Sequence, residues 1–217
     1  MSEPPAKTSR RRPGRPRRIT REQIVDAARE IVERQGVGAL TMRRLAATIG
    51  ATPMAIYGHV DDKAGLLLGI LEAEASELQL PTLPEEPRDR IVHAATFIHD
   101  TVAARLWVLD AAWPGELFGL AVLPLMEEII ASFVACGLGY TAAVNAYRST
   151  WFLIAGELRA RNRQPVSVAR SRLTQVDPQT MPHVNRMTAG FAEIDRDYDV
   201  AQAISCLVDG LLASNAG

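Results

Sequence analysis

The side chains best suited to chemistry in this sequence are hydrogen-bond donors and cations gathered near its N-terminus. The segment Thr41–Lys63 holds two threonines at helix-start positions, an arginine pair and the group Tyr57-x-His59. The arginine-rich run Arg10–Arg18 precedes it. Phenol, imidazole, ammonium and guanidinium groups all donate hydrogen bonds to phosphate oxygens. This grouping therefore predicts contact with a polyanion.

Short helices separated by turns must position these donors. A first helix begins at Thr20, whose spacing from Gln23 fits a capping box, and apolar residues then recur at helical spacing as far as Gly36. The second helix begins at Thr41 and ends at Gly50, because glycine tolerates the left-handed backbone that closes many helices.

A third helix follows the Gly50 turn at once. It begins at Thr52, has Pro53 in its first position and runs to about His59. At 1.5 Å per residue it is roughly 12 Å long, which matches a major groove about 12 Å wide. Asp62 then caps a fourth helix that continues towards Leu78. A helix-turn-helix beside a cationic arm predicts sequence-specific DNA binding.

Charge is divided unevenly along the chain. Residues 1–63 carry 13 Lys and Arg against 7 Asp and Glu, and residues 64–217 carry 11 against 18, although the net charge is only −1. A basic head and an acidic body indicate that only the head contacts DNA.

The stretch LTMRRLAATIGATPMAIYGHVDDKAGLL, from Leu40 to Leu67, resembles the N-terminal domain of tetracycline-repressor (TetR) family regulators. The matching features are the Thr-capped second helix, the Gly50 turn, the segment Ile56-Tyr57-x-His59-Val60, and Lys63 followed by two leucines. Gly58 departs from the pattern, since many relatives carry a larger or polar residue there. The resemblance covers residues 20–70 and is only architectural beyond residue 80.

The resemblance implies an all-α protein with two domains. An N-terminal three-helix helix-turn-helix DNA-binding domain spans residues 19–80, and a C-terminal helical domain for ligand binding and dimerisation spans residues 88–217. It further implies a homodimer on a pseudo-palindromic operator in double-stranded DNA, released by a small-molecule effector that the resemblance does not identify. An architectural, nucleoid-type DNA-binding protein without an effector stays open as the alternative.

Candidate DNA contacts fall into two groups. Tyr57, His59 and Lys63 match family positions that touch the DNA backbone, and the helix N-termini at Thr41 and Thr52 offer free N–H groups to phosphate. Tyr57 as a core aromatic is the alternative. Base contacts should come from the start of the second helix and the first turns of the third: Met42, Arg43, Thr52, Met54 and Ala55. Arg43 binds either guanine or a phosphate, and both interpretations stay open.

Residues 1–18 form a Pro- and Arg-rich arm that we expect to be disordered in the free protein. Its Gly14-Arg15-Pro16-Arg17 segment is close to the core of an AT-hook. We therefore expect Arg15, Arg17 and Arg18 to enter a narrow minor groove. The alternative is a generic basic tail that only releases counterions.

The remaining sequence predicts helices and no strands. The predicted helices cover Arg88 to about Ala111, Glu116–Leu120, Pro124–Ala135, Thr141–Arg161 and Asp199–Leu212, with residues 162–182 as a loop that contains a short helix. Helices 141–161 and 199–212 are too apolar all round for lone surface helices. The family resemblance implies that they build the homodimer surface as a four-helix bundle across the twofold axis, and burial inside one subunit is the alternative. The residues proposed for that surface are Ala142, Ala143, Ala146, Ser149, Ala201, Ile204, Cys206, Leu207, Val208 and Leu211.

Aromatic residues with scattered polar groups predict an apolar ligand pocket in the same domain. The candidates are Phe97, Trp107, Trp113, Phe118, Trp151 and Glu157, and core packing is the alternative for each. A Trp-Pro-Gly break at 113–115 marks where a helical shell would open.

Other function classes lack their motifs. The sequence has no HExxH, phosphate-loop or nucleophile-elbow motif, and its four histidines lack metal-ligand spacing, so we expect no enzyme, metal or cofactor. No signal peptide is evident, and the longest apolar run, Leu117–Met126, is about half a membrane span. We therefore expect a soluble, cytoplasmic, nucleoid-associated protein with no membrane partner, in which Cys136 and Cys206 are buried thiols.

Overall fold

The computed structural model describes residues 19–112, 119–162 and 176–214, and every regular element in these ranges is helical. The all-α prediction is confirmed for this part of the chain. Residues up to Leu66 and residues from Leu67 onward form two compact units. The basic arm and the Trp-Pro-Gly break lie outside the described ranges.

The first unit is built on short capped helices. They are α1 (Arg21–Gln35), α2 (Met42–Ile49), α3 (Pro53–Tyr57) and the first residues of α4 (Lys63–Ser76). The predicted capping box is confirmed, since Thr20 Oγ1 accepts from the Gln23 N–H and the Gln23 side chain accepts from the Thr20 N–H. These bonds satisfy backbone donors that a helix start leaves without partners.

One apolar cluster holds these helices together. Each helix buries one face, and the buried residues are Ile24, Val25, Ala28, Ile31, Val32, Leu40, Leu45, Ala46, Ile56, Val60 and Leu66. Burying each aliphatic side chain contributes about 1.5–3 kcal/mol relative to leaving it exposed. The opposite faces of α2 and α3 stay in solvent. They carry Arg43, Arg44 and Thr48 on α2, and Met54, Ala55 and Tyr57 on α3.

The turn between α2 and α3 depends on a left-handed residue. Gly50 has φ 67 and ψ 35, and its N–H donates to the carbonyls of Ala46 and Ala47. Only glycine adopts this conformation without a steric penalty on a β-carbon. The predicted Gly50 turn is confirmed.

The third helix is shorter than predicted. We expected it to run to about His59, but α3 ends at Tyr57. The backbone tightens after Tyr57, because the His59 N–H donates to the Ile56 carbonyl at 2.8 Å, three residues back. Gly58 favours this ending since it stabilises a helix interior poorly.

The second unit contains the rest of α4 and seven further helices in the described ranges. They are α5 (Pro87–Ala103), α6 (Trp107–Ala112), α7 (Leu123–Ala135), α8 (Tyr140–Arg161), α9 (Pro182–Ala189), α10 (Phe191–Asp197) and α11 (Val200–Ala213). Helices α5, α7, α8 and α11 pack around a common core. That core includes Ile91, Ala95, Ile129, Phe133, Ile154, Leu158, Ile204 and Val208.

Three predictions for this unit need correction. The single helix from Arg88 to about Ala111 was wrong, because the chain turns after Ala103 and the Arg105 N–H donates to the Val102 carbonyl three residues back. Helices α9 and α10 were not predicted, since their exposed faces gave little apolar periodicity. Cys206 is exposed and Cys136 is half-buried, so the thiols are not the buried pair we expected.

An ion pair links α5 to α11. The Arg88 guanidinium donates to both carboxylate oxygens of Asp209 at 2.9 Å and also to Ser205. The hydrogen bond from Arg88 holds the pKa of the Asp209 carboxyl below its usual value. The same contacts raise the pKa of Arg88. This fork fixes the start of α5 against the outer side of α11.

Candidate nucleic-acid interface and ligand cavity

Helix α3 presents one edge to solvent and buries the other. Met54 is 77% exposed and Tyr57 is 47% exposed, whereas Ile56 is fully buried. Thr52 and Ala55 are also exposed, and Thr52 Oγ1 caps the helix by accepting from the Ala55 N–H at 3.2 Å. The core residue anchors α3 while its neighbours remain available to a partner.

The start of α2 offers a second exposed edge. Thr41 Oγ1 accepts from the Arg44 N–H at 3.2 Å, and Thr41 and Arg43 are exposed while Met42 is half-buried. The Arg44 guanidinium donates to the Gln35 side chain of α1. Across the described residues, no hydrogen bond or ion pair engages the Arg43 guanidinium. Arg43 is therefore the arginine of the pair that is available to an anion.

Three donors follow the exposed edge of α3. Tyr57 and His59 lie exposed, but Lys63 is half-buried and its Nζ donates to the Val37 carbonyl at 2.9 Å. An ammonium has three donors, so this bond leaves two for another acceptor. Asp62 accepts from the Gly65 N–H at 2.7 Å, which confirms it as the cap of α4.

A largely apolar cavity of about 130 Å³ lies in the second unit. Helices α4, α5, α6, α7 and α8 all contribute to its wall. The side chains that line it include Leu71, Glu74, Phe97, Thr101, Arg105, Tyr147 and Trp151. Burial raises the pKa of Tyr147, as expected for a phenol in apolar surroundings.

The structure brings only some of the predicted ligand residues to this cavity. Phe97 and Trp151 line it. Trp107 is buried, but it is not among the residues that line the cavity, although its neighbour Val108 is. Glu157 instead accepts from Arg161 Nε at 2.7 Å and lies 2.9 Å from His99 Nε2. The remaining two candidates, Trp113 and Phe118, fall outside the described residues.

Sequence reasoning missed the charged pair in the cavity wall. Glu74 Oε2 lies 2.6 Å from Arg105 Nε. Glu74 lies on α4 and Arg105, 31 positions later, lies in the turn between α5 and α6, so no local spacing rule relates them. Helix α4 carries two glutamates, Glu72 and Glu74, and nothing in the sequence showed that Glu74 is the buried one.

The chain passes very close to α4 at Gly119. A β-carbon there would lie 2.8 Å from both the Ala75 β-carbon and the Leu71 carbonyl oxygen. Gly119 also lines the cavity, so its small size sets how closely this part of the wall approaches α4.

Part of the predicted dimer surface lies inside the subunit. Ala143, Ala146, Ile204 and Val208 are buried in the core of the second unit, so their assignment to the dimer surface was wrong. Each of α8 and α11 buries one apolar face in the core, and its outer face mixes polar and apolar residues. In the sequence, these two sets of apolar residues together gave the impression of a helix that is apolar on every side. The outer faces expose Phe152 on α8 and Cys206 on α11. The guanidinium carbon of Arg148 lies 5.8 Å from the centre of the Phe152 ring.

Membrane spans and metal sites are features of other function classes. None of the helices there is both long and apolar enough to cross a membrane. No group of three histidine, cysteine or carboxylate side chains in the described ranges is placed to hold a metal ion.

The known proteins that this chain resembles are transcriptional regulators. The family model described as "Bacterial regulatory proteins, tetR family" matches residues 24–70. An HTH-type transcriptional regulator of Saccharopolyspora erythraea is 29% identical over 159 residues, covering 73% of this chain and 66% of that protein. The HTH-type transcriptional repressor DrrR1 of Streptomyces coeruleorubidus is 27% identical over 165 residues, covering 73% and 60%.

The fold is also found in solved structures. Apo ActR from Streptomyces coelicolor superimposes with a TM-score of 0.76 at 19% identity, over 92% of this chain and 97% of that one. The chain spans less than two thirds of the length of these two curated relatives.

Proposed function

We propose that the chain, whose residues 24–70 match the family model of the tetR family of bacterial regulatory proteins, is an effector-controlled transcriptional regulator of that family. It acts as a repressor that a small apolar or aromatic molecule releases from a pseudo-palindromic operator. The observation that carries this proposal is the solvent-exposed edge of α3, held in place by buried Ile56.

The DNA-binding half of the proposal rests on donor placement. The exposed start of α2 and the first turn of α3 present free backbone N–H groups to phosphate, with Arg43, Tyr57 and His59 nearby in sequence. Met54 and Ala55 are exposed apolar groups of the kind that contact thymine methyls. The N-terminal arm adds Arg15, Arg17 and Arg18 in the adjacent minor groove.

Dimerisation follows from the size of the head. A single five-residue helix meets only a few base pairs, and such heads act in twofold pairs on two half-sites. We propose that α8 and α11 form the interface through their outer faces, which expose Phe152 and Cys206. Named relatives of the family include the repressor DrrR1, which supports repression as the outcome.

The effector half of the proposal rests on α4. This one continuous helix has Lys63 bonded to Val37 at its first residue and lines the cavity with Leu71 and Glu74 further along. We propose that a molecule in the cavity moves α4 and so changes the placement of the DNA-binding helices. A coupling of about 1–3 kcal/mol is enough to weaken operator binding roughly 5- to 150-fold.

Footprinting on DNA flanking the coding region tests the proposal. At fixed salt, we expect protection of one pseudo-palindrome by two protomers, and much weaker binding to random DNA. An architectural protein would bind both DNAs alike and would leave no discrete footprint. That result would reject the regulator in favour of the alternative.

A further inference from the structure

The cavity wall contains one charged pair among mostly apolar side chains. Glu74 and Arg105 meet at 2.6 Å, and both line the cavity with Phe97, Tyr147 and Trp151. Buried ion pairs contribute little net stability, because desolvation offsets most of their attraction. Because the pair adds little to stability, its position in the cavity wall points to a role in selecting the ligand.

The two partners of this pair are buried to different degrees. The Glu74 side chain is only 8% exposed, whereas the Arg105 side chain is 39% exposed. The carboxylate is therefore fixed inside the cavity wall on α4, and its countercharge comes from the solvent edge. Arg105 can leave the pair and be solvated at low cost, but Glu74 cannot.

We propose that the cavity accepts a lipophilic cation, whose ammonium or amidinium group takes the place of Arg105 beside Glu74. This inference rests on the proposed role of the cavity as the effector site. The cation keeps Glu74 neutralised and releases Arg105 to water, so no buried charge is left alone. Phe97, Tyr147 and Trp151 also line the cavity, and aromatic rings attract positive charge over their faces.

Other ligand charges fit less well. A carboxylate ligand would compete with Glu74 for the one guanidinium and would bring a second negative charge close to a buried one. A neutral apolar ligand would fill the same space but gain nothing from Glu74. The structure thus favours cation over neutral over anion for ligands of equal size.

Three matched naphthalene compounds test this order by calorimetry on the full chain. They are 1-naphthylmethylammonium, 1-ethylnaphthalene and 1-naphthylacetate, which share a ring system and differ in charge. We expect the cation to bind at least tenfold more tightly than the neutral compound, and the anion most weakly. Equal binding of cation and neutral compound, tighter binding of the anion, or binding of none would overturn the inference.

Variants identify the residue responsible. Glu74→Gln should abolish the preference for the cation while the neutral compound binds as before. Arg105→Gln removes the competing guanidinium and should tighten cation binding. This variant tests the placement of the cation beside Glu74 even if Glu74→Gln does not fold. Glu128→Gln is the matched control, since Glu128 also pairs with an arginine, Arg90, but lies outside this cavity. An unchanged cation preference in Glu74→Gln, or weaker cation binding in Arg105→Gln, would overturn the assignment.

Operator binding is measured separately, by gel shift of the unliganded parent chain. If the parent chain shows no cation preference but binds its operator, the ligand class is rejected and the regulator is kept. A clear cation preference in a chain that binds no discrete DNA site keeps the ligand class and rejects the regulator. The two proposals therefore fail in different measurements.

Discussion

Replacing Tyr57 by phenylalanine is the sharpest test of the DNA-binding edge. The change removes one hydroxyl and keeps the ring, and Tyr57 is 47% exposed at the end of α3. In the described ranges, no hydrogen bond from the protein engages that hydroxyl. Tyr57→Phe should therefore leave folding unchanged and affect only a bound partner.

The expected loss follows from one phosphate contact in each subunit. A hydrogen bond to a charged group contributes about 1.5–3 kcal/mol, so a symmetric dimer loses about 3–6 kcal/mol. At about 1.4 kcal/mol per factor of ten, operator affinity should fall roughly 10²- to 10⁴-fold. Two contacts on one rigid dimer add because they are far apart.

Gel-shift titration at constant salt measures the change in affinity, and thermal unfolding measures the fold. Tyr140→Phe is the matched control, because Tyr140 is 74% exposed at the start of α8 and plays no part in the proposed interface with DNA. Affinity in Tyr57→Phe within twofold of the parent, with the melting temperature unaltered, would refute the phosphate contact and the orientation we assign to α3.

Three further predictions concern other parts of the chain. Deleting residues 1–18 should weaken operator binding and flatten the dependence of log K on log salt, and an unaltered slope would exclude the arm. Gly119→Ala should lower stability to urea by about 1–3 kcal/mol through overpacking, whereas Gly156→Ala, with open space around its β-carbon, should not; equal effects would contradict the close approach. Arg88 lowers the folded-state pKa of Asp209, so this pair stabilises the fold above the ordinary aspartate pKa of about 4. Its contribution disappears as the pH falls through the lowered pKa. Arg88→Ala should flatten that part of the curve of stability against pH, and an unchanged curve would argue against the pair.

Local signals in the sequence were sufficient for the caps and turns. Thr20, Thr41, Thr52 and Asp62 each bond to a backbone N–H within three residues, so residue type and spacing determine them. The Gly50 turn depends on one residue's backbone preference. These features are decided before distant parts of the chain meet.

Contacts between distant residues were beyond the sequence patterns. The Lys63–Val37 bond joins residues 26 positions apart, and its acceptor is a backbone carbonyl that any residue would supply. The break after Ala103 occurs in a stretch with no glycine or proline, so nothing local marked it. Apolar periodicity on α8 and α11 showed that these helices are buried, but it did not distinguish a core from a dimer interface.

On α3, the residue that anchors the helix is different from the residues that it exposes, and this difference affects how the protein can evolve. Ile56 holds the helix, while Met54 and Ala55 project from it without supporting the core. Substitutions at such surface positions typically change stability by less than about 0.5 kcal/mol. Under the proposed function, a duplicated copy of this gene can therefore change the side chains that α3 offers to DNA and remain folded.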